Sequence, residues 1–164
     1  MDSSRTVRLS SGKAKDQSSE PGGQGEPAIV AQITIPGHLV ALLTLRRNTD
    51  QNLAASHVIT ITFNMPPNSP GGGVSTVPGV LMKASEGVAG VALAGLSEKV
   101  RNSSFIIGLS AASPAMQRNL QLLKDRDWLD VTIVYNNGKR AILALQKGPS
   151  GNRAFAEAFS AWRE

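Results

Sequence analysis

The chain of 164 residues contains no cysteine. That excludes disulfides, thiolate nucleophiles, iron–sulfur clusters and zinc sites built on sulfur, and it leaves the redox compartment open. Aromatic residues are few, at four Phe, two Trp and one Tyr, and there are two histidines. Long apolar runs are also missing. The longest stretch without charge or strong polarity, "GVAGVALAGL" (Gly87–Leu96), has ten residues, against the roughly 20 that a membrane-spanning helix needs. The opening "MDSSRTVRLSSGKAKD" is polar where a signal peptide carries an apolar core. The chain as given is therefore expected to be soluble and to carry no secretory address.

The sequence is 41% hydrophobic and 18% charged, enough apolar material for one globular domain with a real core. Residues 1–27 are Ser, Gly, Gln and charge with little to bury, and read as a disordered tail or linker. The domain then occupies 28–164. The formal net charge is +5. In 1–27, Arg5, Arg8, Lys13 and Lys15 are cancelled by Asp2, Asp16, Glu20 and Glu26. The whole excess belongs to the domain, where the remaining basic residues are scattered rather than gathered into a stripe.

"AIVAQITIPGHLVALLTLRRN" (Ala28–Asn48) is apolar and β-branched with a break at Pro36-Gly37. "HVITITFNM" (His57–Met65) alternates, with Ile59, Ile61 and Phe63 on one face and Thr60 and Thr62 on the other. That period of two marks a half-buried strand, and the two segments are expected to pair antiparallel. "NMPPNSPGGGVSTVPG" (Asn64–Gly79) reads as a loop. Short apolar pieces follow at "VLMKA", "GVALAGL", "EKVRN" and "SFIIGLS", separated by Gly, Ser and Asn. Such spacing predicts a sandwich or barrel rather than βαβ units.

The period changes at "SPAMQRNLQLLKDRDW", where Ser113 as N-cap, Pro114 at the first helical position and Met116, Leu120 and Leu123 on one face predict a short helix. "LDVTIVYNNGKRAILALQKG" contains Asn137-Gly138, a hairpin signal. With those two residues as the turn, Ile133 opposes Ile142 and Val131 opposes Ala144, and both hairpin faces come out apolar. A cover is then needed on the second face. "SGNRAFAEAFSAWRE" offers a terminal helix with Phe155, Phe159 and Trp162 in one stripe.

Motifs for chemistry are sparse. The loop "PGGGVSTVPGV" lacks the lysine and helix start of a phosphate cradle. His38 and His57 have no further nitrogen or sulfur ligand to make a metal site. A triad of His57 with Asp50 and a serine has no G-x-S-x-G elbow behind it, so both histidines read as ordinary. Asp125, Asp127 and Asp130 beside Lys124 and Arg126 read as a solvated helix end, with Asp127 opening a turn. The densest basic pairs are Arg46-Arg47 and Lys139-Arg140, which could meet on one sheet edge. They are the candidate binding residues, although aromatic interleaving for base stacking is missing.

The run "LTLRRNTDQNLAASHVITITFNMPPNSPGGGVSTVPGVLMKASE" with "LAGLSEKV", "FIIGLS" and "RNLQLLKDRDWLDVTIVYNNGKRAILALQKGPSGNRAFAEAFSAW" resembles a C-terminal domain of uncharacterised alphaproteobacterial proteins. That domain often follows a low-complexity region and a membrane segment, which implies that 1–27 is a linker remnant. The end of the chain, helix, strand, Gly-Lys turn, strand and aromatic-faced helix, is similar in layout to the invasion-associated locus B family. That resemblance implies a periplasmic or envelope-associated β-sandwich, although members of the family usually carry cysteines.

The expectation is a β-rich antiparallel sandwich or flattened barrel of about seven to nine strands, with one helix between late strands and one at the C-terminus. The expected function is a non-enzymatic binding module, without cofactor or metal, for a protein or envelope polymer. Arg46, Arg47, Lys139, Arg140 and the 65–79 loop are its expected contact region. An anion- or nucleic-acid-binding module is the alternative, and an enzyme the third reading.

Overall fold

The computed structural model describes residues 6–14, 26–69 and 71–164. It is built of antiparallel strands in two sheets. In chain order these are β1 (Thr6–Ala14), β2 (Glu26–Ile35), β3 (Leu39–Arg47), β4 (His57–Asn64), β5 (Val74–Lys83), β6 (Val91–Ala92), β7 (Gly95–Arg101) and β8 (Ser104–Leu109). Helix α1 (Ala115–Asp125), β9 (Trp128–Tyr135), β10 (Arg140–Gln146) and helix α2 (Gly148–Trp162) complete the chain. The six-stranded sheet runs β1-β2-β3-β4-β8-β7 and the four-stranded sheet β10-β9-β5-β6. The result is a sandwich rather than a closed barrel, with the two helices where the sequence places them.

The sandwich follows from the period of two. On β4, Ile59, Ile61 and Phe63 are buried while Thr60 and Thr62 turn outward, and β3 buries Leu39, Ala41, Leu43 and Leu45 in the same layer. Pro36-Gly37 makes the tight turn between β2 and β3. Pro presets φ at the first central position and Gly37 takes φ 76° at the second, closed by His38 N–H donating to Ile35 O at 3.0 Å. Facing this layer are Val80 and Met82 of β5, Val131 and Ile133 of β9, and Leu143 and Leu145 of β10.

Four local features depart from the sequence reading. Nine residues of the expected linker form β1, paired along β2 from Thr6↔Thr34 to Ala14↔Glu26; residues 1–5 and 15–25 of that segment lie outside the described residues. β5 starts at Val74, so the loop ends at Gly73, and the strand carries register shifts up to Gly79, around Pro78, which has no N–H to give to a ladder. Helix α1 has Pro114 as its N-cap with no side-chain cap; its core side holds the expected Leu123 with Leu120 partly buried against the core, and adds Asn119 and Leu122, which the stripe did not include. Asn119 is buried because its amide both donates to Ala94 O and accepts from Ala94 N–H, each at 2.8 Å.

The fourth departure is the hairpin register. Gly138 N–H donates to Tyr135 O at 2.9 Å and Tyr135 N–H to Lys139 O at 2.8 Å, with Gly138 at φ 84°. This is a three-residue loop, a type I turn followed by a left-handed glycine, not a two-residue turn on Asn137-Gly138. The register moves by one, to Ala141↔Ile133, Leu143↔Val131 and Leu145↔Leu129. One residue of shift exchanges the faces of a strand. The hairpin thus has one apolar face, and Ile142 is left 60% exposed on the other. No cover is required there, and α2 lies instead against β1 and β2, adding Phe155, Phe159 and Trp162 to the core.

Candidate functional site

The four basic residues nominated by sequence do not meet. Arg46 and Arg47 end β3, beside the C-terminus of α2, where Arg47 Nη1 lies 3.4 Å from Trp162 O. Lys139 and Arg140 are exposed at the hairpin tip. That tip sits on the glycine loop, with Asn136 N–H donating to Gly73 O and Asn137 N–H to Gly71 O. The same loop reaches the β2–β3 turn through Ser69 Oγ to His38 O at 3.3 Å. The two pairs therefore lie toward opposite ends of β3, separated by roughly 25 Å at about 3.4 Å per residue. The glycine loop is a seat for the hairpin. A Cβ at Gly71 would stand 3.1 Å from Tyr135 Cβ, so close backbone approach is what its glycines supply.

Arg46 faces outward at the rim of a broader feature. Alternate residues of β2, β3, β4, β8 and β7 form the outer face of the six-stranded sheet in aligned rows. One row runs Val30, Thr44, Thr60, Ile106 and Glu98, and the next Gln32, Leu42 and Thr62. Leu42 is 47% exposed, and on the edge strand Leu96 is 84% and Val100 56% exposed. The 48–56 loop borders this face, with Ala55 against the Cα side of Gly108. Asn48 pins that loop by donating Nδ2 to Leu53 O and Ala55 O at 2.8 Å. Between the loop and β7 the face is charge-poor, apolar and threonine-rich.

A hydrogen-bonded chain lies where the 48–56 loop joins β4. His57 is 1% exposed. Its Nε2 is 2.7 Å from Glu164 Oε2, its Nδ1 is 3.0 Å from Ser56 Oγ, and its ring meets Trp162 edge-on at 5.2 Å. Glu164 is delivered by the end of α2. Arg163 turns left-handed at φ 59°, with Glu164 N–H donating to Phe159 O and Arg163 N–H to Ser160 O, the paired bonds of a Schellman stop. Asp50, the acid that sequence offered to His57, instead organises its own loop through Asn52 N–H. The true partner is 107 residues away, and no local pattern announces it.

Two other buried ion sites belong to the scaffold. Lys83 Nζ pairs with Asp130 Oδ2 at 2.9 Å, donates to Glu86 O and lies 5.8 Å from the Trp128 ring centroid. Asp130 is thus buried and paired, not part of a solvated helix end. Lys147 caps α1 through Leu123 O and sits 4.0 Å from the Phe155 ring centroid. Burial pushes its pKa down to about 8, opposed by Asp127 and Asp125. Asp127 does not cap a turn toward the next strand: its carboxylate accepts from Gln146 Nε2 at 3.2 Å and its carbonyl from Lys147 N–H, continuing the β9–β10 ladder by one residue.

An open groove of about 250 Å³ lies between α1 and β6, lined by Val91, Arg118, Gln121, Leu122, Asp125 and Arg126. Lys147 does not line it. Among the described residues, no group of three His, Asp or Glu could hold a metal ion, and no helix is long and apolar enough to cross a membrane. Comparison with protein-family models, curated proteins and solved structures finds no match.

Proposed function

We propose that the chain is a protein-binding module that docks its partner on the outer face of the six-stranded sheet. The carrying observation is the exposure of Leu42 and, on the edge strand, of Leu96 and Val100, beside middle strands that present Thr44, Thr60, Thr62 and Ile106 outward and with Glu98 on the same edge strand. Exposed apolar side chains gathered on one sheet face are candidates for an interaction surface. The lack of aromatic side chains on this face favours a protein over an envelope polymer, because sugar rings are held largely by stacking on exposed aromatics. Phe63, Phe105, Phe155, Phe159 and Trp162 are all in the core. Similarity of layout to the invasion-associated locus B family supports an extracytoplasmic setting for this contact.

Magnitude sets the kind of contact. Five strands at about 4.8 Å and four to five residues at about 3.4 Å give a platform of roughly 400 Å². A standard interface buries about 800 Å² per partner. The platform therefore suits a weak, reversible encounter, or a wider contact that continues past Arg46 at the rim. A photo-crosslinking residue placed at position 42 or 96 is expected to capture one discrete protein from a native extract, and one at position 142 on the other sheet is not. Equal capture from all three positions, or capture abolished by nuclease, overturns the reading. The nuclease arm addresses the anion- or nucleic-acid-binding alternative, whose basic pairs the fold holds apart.

A further inference from the structure

We propose that Ser56 is an activated nucleophile, an acceptor for acyl or phosphonyl groups from small activated esters, with His57 as its base and Glu164 as the group that orients the base. This goes beyond the docking reading and does not rest on it.

The tautomer follows from the partners. At neutral pH a carboxylate is an acceptor only, so the 2.7 Å contact between Glu164 Oε2 and His57 Nε2 requires the imidazole proton on Nε2. In the neutral ring Nδ1 then carries the lone pair, and it faces the Ser56 hydroxyl at 3.0 Å. Carboxylate, imidazole and hydroxyl stand in the order that a serine nucleophile needs, with the base itself held by a third group. The two nitrogens are exchanged relative to the commonest serine hydrolase arrangement, and geometry and role, not sequence order, define such a set.

Each member is fixed. Ser56 N–H donates to Leu109 O at 2.9 Å and Ser56 O accepts from Asn48 N–H at 3.0 Å, so the backbone carrying the hydroxyl is held on both sides. Trp162 sets the ring plane of His57 edge-on and is itself anchored by Nε1–H donating to Pro27 O at 3.0 Å. His57 is buried while Ser56, which carries the hydroxyl, is half-buried.

The step balances. Ser56 Oγ attacks the electrophilic carbon or phosphorus and forms the new ester bond as its proton passes to His57 Nδ1. The bond to the leaving group breaks with its electron pair, the leaving group takes the proton from Nδ1, and Glu164 stabilises the transient imidazolium through Nε2–H.

The whole 164-residue chain is incubated with a fluorophosphonate probe, and adducts are mapped by peptide mass spectrometry over time. The expected result is rapid labelling at Ser56, with Ser97 and Ser103 of the same sample as internal references. Glu164→Gln is expected to slow labelling roughly tenfold or more, and Ser56→Ala to remove it, each with an unchanged melting curve. Labelling of Ser56 no faster than of the reference serines overturns the proposal. So does a Ser56 rate that Glu164→Gln leaves unaltered. Should Glu164→Gln lower the melting temperature, the within-sample comparison of Ser56 with Ser97 and Ser103 in the unsubstituted chain still decides.

Discussion

At the scale of single residues, the ionisable groups this fold buries are held by partners distant in sequence. Lys147 shows the consequence most directly. Its ammonium is taken from water by the Phe155 ring and the end of α1, and its pKa falls from 10.5 to about 8. Between those values the unfolded chain binds a proton that the folded chain does not. Stability should therefore rise as pH increases from about 8 toward 10.5, and the cost of carrying the charge is fully present below pH 8. The effect is on the order of 2 kcal/mol once solvent screening is allowed for. Melting curves across pH 7–10.5 check it: Lys147→Met should lose the alkaline gain that the natural chain shows, and parallel curves for the two proteins would refute it. Sequence could not have marked this residue. "QKGPSG" looks like a turn with a solvated lysine, and burial comes from α1 arriving 24 residues upstream. His57 with Glu164, and Lys83 with Asp130, escaped for the same reason.

At the scale of elements, what periodicity controls was legible and what turn geometry controls was not. The alternation in 57–65 gave β4 with its correct inner face, and the stripe of Phe155, Phe159 and Trp162 gave α2 with its buried side. The β9–β10 hairpin was recognised, but its register turned on a single dihedral angle. Asn136 and Asn137 keep negative φ and only Gly138 goes left-handed, so the loop holds three residues and every pairing moves by one. A Cβ at Gly138 meets nothing within 4 Å, hence Gly138→Ala should act through backbone strain alone. The expected loss is about 1–2 kcal/mol, with Gly138→Asn losing less because Asn tolerates that region. Urea midpoints for the two variants check this. Equal loss from both would mean that side-chain volume, not φ, is what the turn resists. The strand at 6–14 escaped because "TVRLSSGKA" has too few apolar residues to show a period, and its ladder with β2 is a backbone property.

At the scale of the whole molecule, an open sandwich must manage the edges that a closed barrel does not have. β7 is one edge of the six-stranded sheet, with every residue exposed, and an edge of that length is a template for unwanted strand pairing. Its sequence answers with charge. Lys99 lies 6.0 Å from the Phe105 ring centroid, an inward-facing lysine at an edge, and a register shift separates Lys99 from Arg101. Glu98 stands between the exposed Leu96 and Val100. These features guard the backbone edge while leaving the side-chain face free, which is why docking is placed on the face and not on the edge. The two can be separated. Replacing Glu98 and Lys99 together with Thr and Val should unguard the edge and produce concentration-dependent association by light scattering, with the monomer's thermal stability changed by less than about 1 kcal/mol. Leu42→Asp, on the face, should leave the chain monomeric and equally stable while losing crosslinking to its partner. A double edge variant that stays monomeric at high concentration would show that the charges on β7 are not its protection, and the argument for the face over the edge would fail with it.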